Sequence, residues 1–171
     1  MINEIRYDYD IKKVDFSLPT IFLMGPTVRG NQTHLRSWRF DAVDIFKKLS
    51  FSGNIIIPEF ISLTESDQYR YDIPLWEYHG LCYSTVNMCW LPRTRELIGL
   101  TTNHEIGYWM ARERNKLVYG RPDNAFRIKY IDIMWEKDLE RTVSTKIENQ
   151  SIYSTLEDTI KASITLSNKI R

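Results

Sequence analysis

Thr20-Ile21-Phe22-Leu23-Met24-Gly25-Pro26 is the stretch that decides the fold. A threonine and four apolar residues form a short run, and the Gly-Pro pair ends it. A run of this length beside chain-breaking residues is typical of a strand that is buried on both faces. Strands of that kind occur in parallel sheets covered by helices, so the stretch predicts an α/β protein.

The alternation of strands and helices continues on both sides of this stretch. Further strands are predicted over residues 55–57, 86–91, 117–119 and 152–154. Helices are predicted to begin after an N-cap at Asn31 or Thr33, at Pro74, at Asn103 and at Leu156, with a mixed or helical stretch over 125–138. This order predicts one parallel sheet with helices on both of its faces.

Composition limits the class of protein. The chain has 171 residues and a formal net charge of +1. That length fits one domain, so we expect an N-terminal arm over residues 1–17 and a single domain over 18–171. A net charge this close to zero argues against a protein that binds polymeric nucleic acid through its overall positive charge.

Cysteine content and hydropathy bear on the compartment. Cys82 and Cys89 lie in apolar runs, and we interpret them as two buried thiols rather than a disulfide framework. No apolar run approaches the ~20 residues that a membrane helix needs, and the first ten residues lack the features of a signal peptide. We therefore expect a cytoplasmic protein without a membrane partner.

Polar residues follow several of the predicted strands at the edge where parallel sheets bind ligands. Gly25, Pro26 and Thr27 follow the first strand and form either a ligand-approaching loop or a plain turn. Glu59 and Glu77 either hold a sugar or assist a leaving base, or are solvated charges. Trp76, beside Glu77, either stacks on a ligand or packs in the core.

Glu105 is the leading catalytic candidate. It lies in the segment Leu100-Thr101-Thr102-Asn103-His104-Glu105, where a helix is predicted to begin. A carboxylate in the first turn of a helix is held ionised by the helix dipole, as a nucleophile must be. Thr102 and Asn103 offer polar contacts to a sugar. The alternative is structural, because Thr102 and Glu105 also have the spacing of a capping box.

Basic residues could bind a phosphate on the ligand. Arg29 and Arg93 lie in loops predicted to face the ligand, and planar guanidinium groups suit phosphate recognition. Arg36 and Arg39 are placed on the solvated side of the first helix. The three histidines have no metal-ligand spacing, so we expect neither a metal nor an organic cofactor.

Taken in order, six short motifs resemble one family. The motifs are Phe22-Leu23-Met24-Gly25-Pro26-Thr27, Trp38-Arg39, Pro58-Glu59, Trp76-Glu77, Trp90-Leu91-Pro92-Arg93 and Leu100 to Glu105. They resemble the nucleoside 2-deoxyribosyltransferase-like superfamily over roughly residues 20–135. The resemblance implies a flavodoxin-like three-layer sandwich, with a mainly parallel sheet of about five strands.

The resemblance also implies a reaction. Glu105 would attack the anomeric carbon of a nucleoside or nucleotide and form a glycosyl ester, which water or a second base would resolve. Glu59 or Glu77 would assist the base or hold the sugar, and Arg29 or Arg93 would contact any phosphate. The ligand site would use no cofactor, and a homodimer or larger homo-oligomer is expected.

Two departures from the family pattern favour an alternative. Phe22 stands where the family has a tyrosine near the nucleophile, and Ser84-Thr85 precede a strand where it often has an aspartate. The alternative is a catalytically weak or inactive nucleotide-binding protein that senses or sequesters its ligand. A third possibility is an interaction domain in which Glu105 only caps a helix.

Overall fold

The computed structural model describes residues 1–29, 32, 34–60, 72–141 and 151–170. Within these residues the strands are β1 (Ile2–Ile5), β2 (Thr20–Met24), β3 (Gly53–Ile56), β4 (Val86–Trp90), β5 (Leu117–Gly120) and β6 (Ile152–Tyr153). The helices are α1 (Trp38–Lys48), α2 (Asp72–Tyr83), α3 (Leu100–Glu113), α4 (Lys129–Arg141) and α5 (Leu156–Lys169).

All six strands form one parallel sheet in the order β1-β3-β2-β4-β5-β6. Without β1 this is the doubly wound order of flavodoxin-like folds, so the predicted fold class is confirmed. The expected strand count was one too low. The sequence predicts an N-terminal arm over residues 1–17, yet residues 2–5 pair with β3 as an edge strand, with Ile2 opposite Gly53 and Ile5 opposite Ile56.

The sheet is covered on both faces, because successive side chains of each strand point to opposite sides. On one face Ile21, Leu23 and Met88 pack with Trp38, Phe46 and Ile160 of α1 and α5. On the other face Phe22, Met24 and Cys89 pack with Trp76, Trp109 and Trp135 of α2, α3 and α4. This burial explains why the β2 sequence is a continuous apolar run.

The first turns of α1 and α3 differ from the prediction. Helix α1 begins at Trp38 and its N-cap is Ser37, whose hydroxyl accepts from the Arg39 backbone N–H. The predicted N-caps Asn31 and Thr33 lie outside the described residues. Helix α3 begins at Leu100, three positions before the predicted start.

Strands β2 and β4 are neighbours, and their onward connections run in opposite directions along the sheet, to β3 and to β5. Such a reversal leaves a crevice beyond the carboxyl ends of the two strands, where doubly wound proteins bind ligands. The Gly25-Pro26-Thr27 loop, which follows β2, and α3, which follows β4, begin at this crevice. No helix of the described residues is long and apolar enough to cross a membrane.

Candidate functional site

The loop after β2 is tightly packed where it leaves the sheet. A Cβ atom on Gly25 would overlap the Trp90 carbonyl oxygen and lie 2.8 Å from Trp38 Cζ2, so the backbone approach requires glycine. Pro26 packs against Gly99, the N-cap of α3, whose φ of 64° is left-handed. The loop therefore holds the end of β4 and the beginning of α3 together.

Arg39 holds the same loop in place through hydrogen bonds to its backbone and to Thr27. Its Nε donates to the Leu23 carbonyl at 3.0 Å, and its Nη2 donates to the Gly25 carbonyl at 2.8 Å. Its Nη1 donates to the Pro26 carbonyl at 3.2 Å and to Thr27 Oγ1 at 3.3 Å. The side chain is 1% exposed. The prediction of a solvated Arg39 was therefore wrong, whereas Arg36 is exposed and pairs with Asp41.

Glu59 is the counter-ion of Arg39. Its Oε1 lies 2.7 Å from Arg39 Nη1, and both of its carboxylate oxygens accept from Ser37 Oγ at 2.8 Å. Glu59 is 6% exposed, so it is not the solvated charge of the alternative interpretation. With both oxygens engaged, Glu59 is placed to hold Arg39 rather than to act on a ligand.

Glu77 lies in α2 and accepts a hydrogen bond from Tyr7, which follows β1. The Tyr7 ring also packs edge-on against Trp76 at 4.9 Å between centroids. The Trp76 Nε1 donates to the Tyr9 carbonyl at 2.9 Å, so Trp76 is a core residue that anchors this segment. Burial raises the pKa of Glu77, and the Tyr7 hydrogen bond and the Arg39 charge oppose that rise.

Glu105 is half-buried in the second turn of α3. Burial, and after it the negative charge of Glu77, raises its pKa from the ordinary 4.5 to about 7, while Arg39 lowers it. The prediction that the helix dipole would keep this carboxylate ionised was wrong, because α3 begins five residues earlier. The capping-box alternative is also wrong, since Gly99 is the N-cap and Thr102 lies inside the helix.

The remaining predicted site residues lie elsewhere. Thr102 lies in the first turn of α3 and is 1% exposed. Arg93 donates through Nη2 to Asn103 Oδ1 at 2.5 Å. Residues two apart on a helix are about 200° apart, so Asn103 lies on the side of α3 opposite Glu105. Arg29 is exposed in the loop after β2.

Sequence reasoning missed two residues of this cluster. Arg39 could have been identified from the Trp38-Arg39 motif, which is one of the six that resemble the family. Its position in the helical pattern instead predicted that it would face solvent. No sequence pattern could have identified Tyr7, because its position depends on the pairing of β1 with β3 in the sheet. Burial and the charges of Glu77 and Glu105 raise the pKa of the Tyr7 hydroxyl, so it remains a donor.

Around the crevice the described residues thus place two half-buried carboxylates, Glu77 and Glu105, with a tyrosine hydroxyl and a buried arginine. Across those residues there is no group of three His, Cys, Asp or Glu side chains that could hold a metal ion. Neither the models of known protein families nor the curated proteins contain a match to this chain.

Proposed function

We propose that the protein cleaves the N-glycosidic bond of a nucleoside or nucleotide through a glycosyl ester on Glu105. The observation that carries this proposal is that the charge of Glu77 acts on Glu105, and that Arg39, which binds the loop after β2, acts on both carboxylates. A pair of carboxyl groups, one ionised to attack the anomeric carbon and one with a raised pKa, is the recurring machinery of glycosidic bond cleavage.

In the first step the ionised Glu105 carboxylate attacks the anomeric carbon. The bond between that carbon and the base nitrogen breaks, its electron pair goes to the base, and the base takes up a proton from solvent. The transition state resembles an oxocarbenium cation. Because Glu77 raises the pKa of Glu105 by its negative charge, a cation between the two groups would relieve their repulsion.

In the second step water, or the nitrogen of another base, attacks the same carbon. The ester bond to Glu105 breaks and the carboxylate is regenerated, while the attacking group loses a proton to solvent. Hydrolysis and transfer differ only in this acceptor. Of the two assisting acids, Glu77 takes the role of holding the sugar, since Glu59 is occupied by Arg39 and Ser37.

Phe22 stands where the resembling family has a tyrosine, and Tyr7 offers a tyrosine hydroxyl from another part of the chain. Phe22 is 2% exposed and packs close to Gly80 of α2, so it serves the core. A tyrosine hydroxyl nevertheless reaches the two acids from the turn after β1, because Tyr7 donates to Glu77 and its pKa responds to the charge of Glu105. This arrangement favours chemistry over the alternative of a nucleotide-binding protein without turnover.

The test is a panel of nucleosides and nucleotides, with released base measured by chromatography. We expect release by the wild type, loss in Glu105→Gln and Glu105→Ala, and retention in the matched control Glu113→Gln on the same helix. A fluorinated sugar analogue should leave a glycosyl mass on the peptide that contains Glu105. Full activity in Glu105→Ala rules out the proposed role of this residue.

The pH dependence tests the electrostatics of the same site. We expect kcat/KM to rise with pH through about 7 as Glu105 ionises. In Glu77→Gln the repulsion is gone, so the rising limb should move to lower pH. If saturable ligand binding persists without any base release, and is unchanged in Glu105→Gln, the binding-protein alternative is correct.

A further inference from the structure

A cavity of about 630 Å³ lies between α3 and α4, on the side of α3 opposite Glu105. This volume falls within the range of roughly 300–1,000 Å³ that small-molecule sites occupy. Its floor is apolar and is formed by Ile106, Met110, Ile131 and Met134. Gly107 leaves the α3 wall open, because a Cβ atom there would meet nothing within 4 Å.

Arg93 lines this cavity as a buried cation, and none of the carboxylates that the structure describes is its counter-ion. It is 5% exposed, and its Nη2 donates to two neutral acceptors, Asn103 Oδ1 and the Gly99 carbonyl. Within the part of the chain that the structure describes, its Nε has no hydrogen-bond partner and no carboxylate forms an ion pair with it. A buried charge that is not paired is costly, so the position favours an anion from outside the chain.

Arg127 adds positive charge to the rim. It lines the cavity with Arg93, and Lys137 and Asp138 are also among the described lining residues. Asp138 lies 3.5 Å from Arg114 Nε, so its charge is already offset. Arg127 has a left-handed φ of 50°, an unusual backbone for arginine, and its guanidinium lies 5.2 Å from the Phe126 ring centroid.

We propose that this cavity binds a small organic anion, a carboxylate or a phosphate on a flat apolar body, with the anion beside Arg93 and Arg127 and the body on the apolar floor. The site is separate from the Glu105 crevice and does not depend on the proposed reaction. Guanidinium groups suit both headgroups, and the floor supplies the affinity for the body.

The probe is anilinonaphthalene sulfonate, because it joins an anionic group to flat apolar rings. The matched control is phenyl-naphthylamine, which has the apolar rings without the anionic group. We expect saturable one-to-one fluorescence binding of the sulfonate, at least about tenfold tighter than that of the neutral compound. Competition with naphthoate and with naphthyl phosphate then distinguishes the two headgroups. Displacement by either supports the site, and displacement by neither overturns it.

Two variants test the location. Gly107→Leu fills the cavity from an open position, and Arg127→Asn removes a cation while keeping a residue that tolerates a left-handed backbone. Each should weaken probe binding by about tenfold. The controls His104→Leu, on the outer face of α3, and Arg95→Asn, in an exposed loop, should leave it unchanged.

Three further results overturn the proposal. The first is equal binding of the sulfonate and of the neutral body. The second is unchanged affinity in both Gly107→Leu and Arg127→Asn. The third is a dimer in sedimentation that Gly107→Leu converts to a monomer, since a second copy of the chain would then occupy the cavity.

Discussion

Replacing Glu105 by glutamine should make the protein more stable at alkaline pH, whatever the ligand is. The pKa of Glu105 rises from 4.5 to about 7 on folding. A carboxyl group with a raised pKa favours folding while it is protonated, and that contribution is lost as pH rises between these two values. Glutamine keeps the shape of the protonated acid and never ionises.

The magnitude follows from the two pKa values. At about 1.4 kcal/mol per pKa unit, the difference between 4.5 and about 7 amounts to about 3 kcal/mol. Solvent reaches part of the half-buried side chain, which screens the charge, so we expect a gain of about 1 to 3 kcal/mol above pH 7. Below about pH 4.5 the variant and the wild type should be equally stable, because the acid is protonated in both states.

Urea unfolding followed by the fluorescence of the five tryptophans measures this difference across pH. The gain of Glu105→Gln should grow between about pH 4.5 and 7 and then level off. In a Glu77→Gln background it should shrink, because the second cause of the raised pKa is absent. A difference that does not change with pH, or a less stable variant at about pH 8, would refute the electrostatic reasoning.

Three further substitutions test, by the same unfolding measurement, the contacts that hold the site residues in place. Arg39→Met leaves a buried carboxylate unpaired and should cost about 3–5 kcal/mol, so a loss below about 1 kcal/mol contradicts the ion pair. Tyr7→Phe removes a hydrogen bond to Glu77 and should cost about 2 kcal/mol, so an unchanged stability contradicts this contact. Gly25→Ala should cost about 2 kcal/mol by overpacking, whereas the control Gly107→Ala, in open space, should gain about 0.5–1 kcal/mol.

The central strands could be predicted because burial on both faces leaves a local signal. The run ending at Gly25-Pro26 was predicted as a strand, and β2 occupies Thr20–Met24 with every residue buried. The edge strand β1 left no such signal, since Asn3 and Glu4 are exposed. Its pairing with β3 depends on residues about fifty positions away.

Helix boundaries were less predictable than the strands, because caps depend on backbone geometry more than on residue type. Ser37 caps α1 through its own hydroxyl, although two earlier polar residues had the same chemistry. Gly99 begins α3 with a left-handed backbone and no side-chain hydrogen bond. That shift moves Glu105 out of the first turn and changes the expected sign of its pKa shift.

From the sequence alone came the α/β class, the parallel sheet, the ligand-binding edge at the carboxyl ends of its strands, and the candidate acids Glu59, Glu77 and Glu105. These features depend on apolar runs and chain-breaking residues within a few positions of one another, so they can be recognised in the sequence itself. Only the tertiary structure decided that Arg39 is buried against Glu59 and that Tyr7 donates to Glu77. These contacts join residues 20 and 70 positions apart, and burial and charge at such distances arise only when the strands assemble.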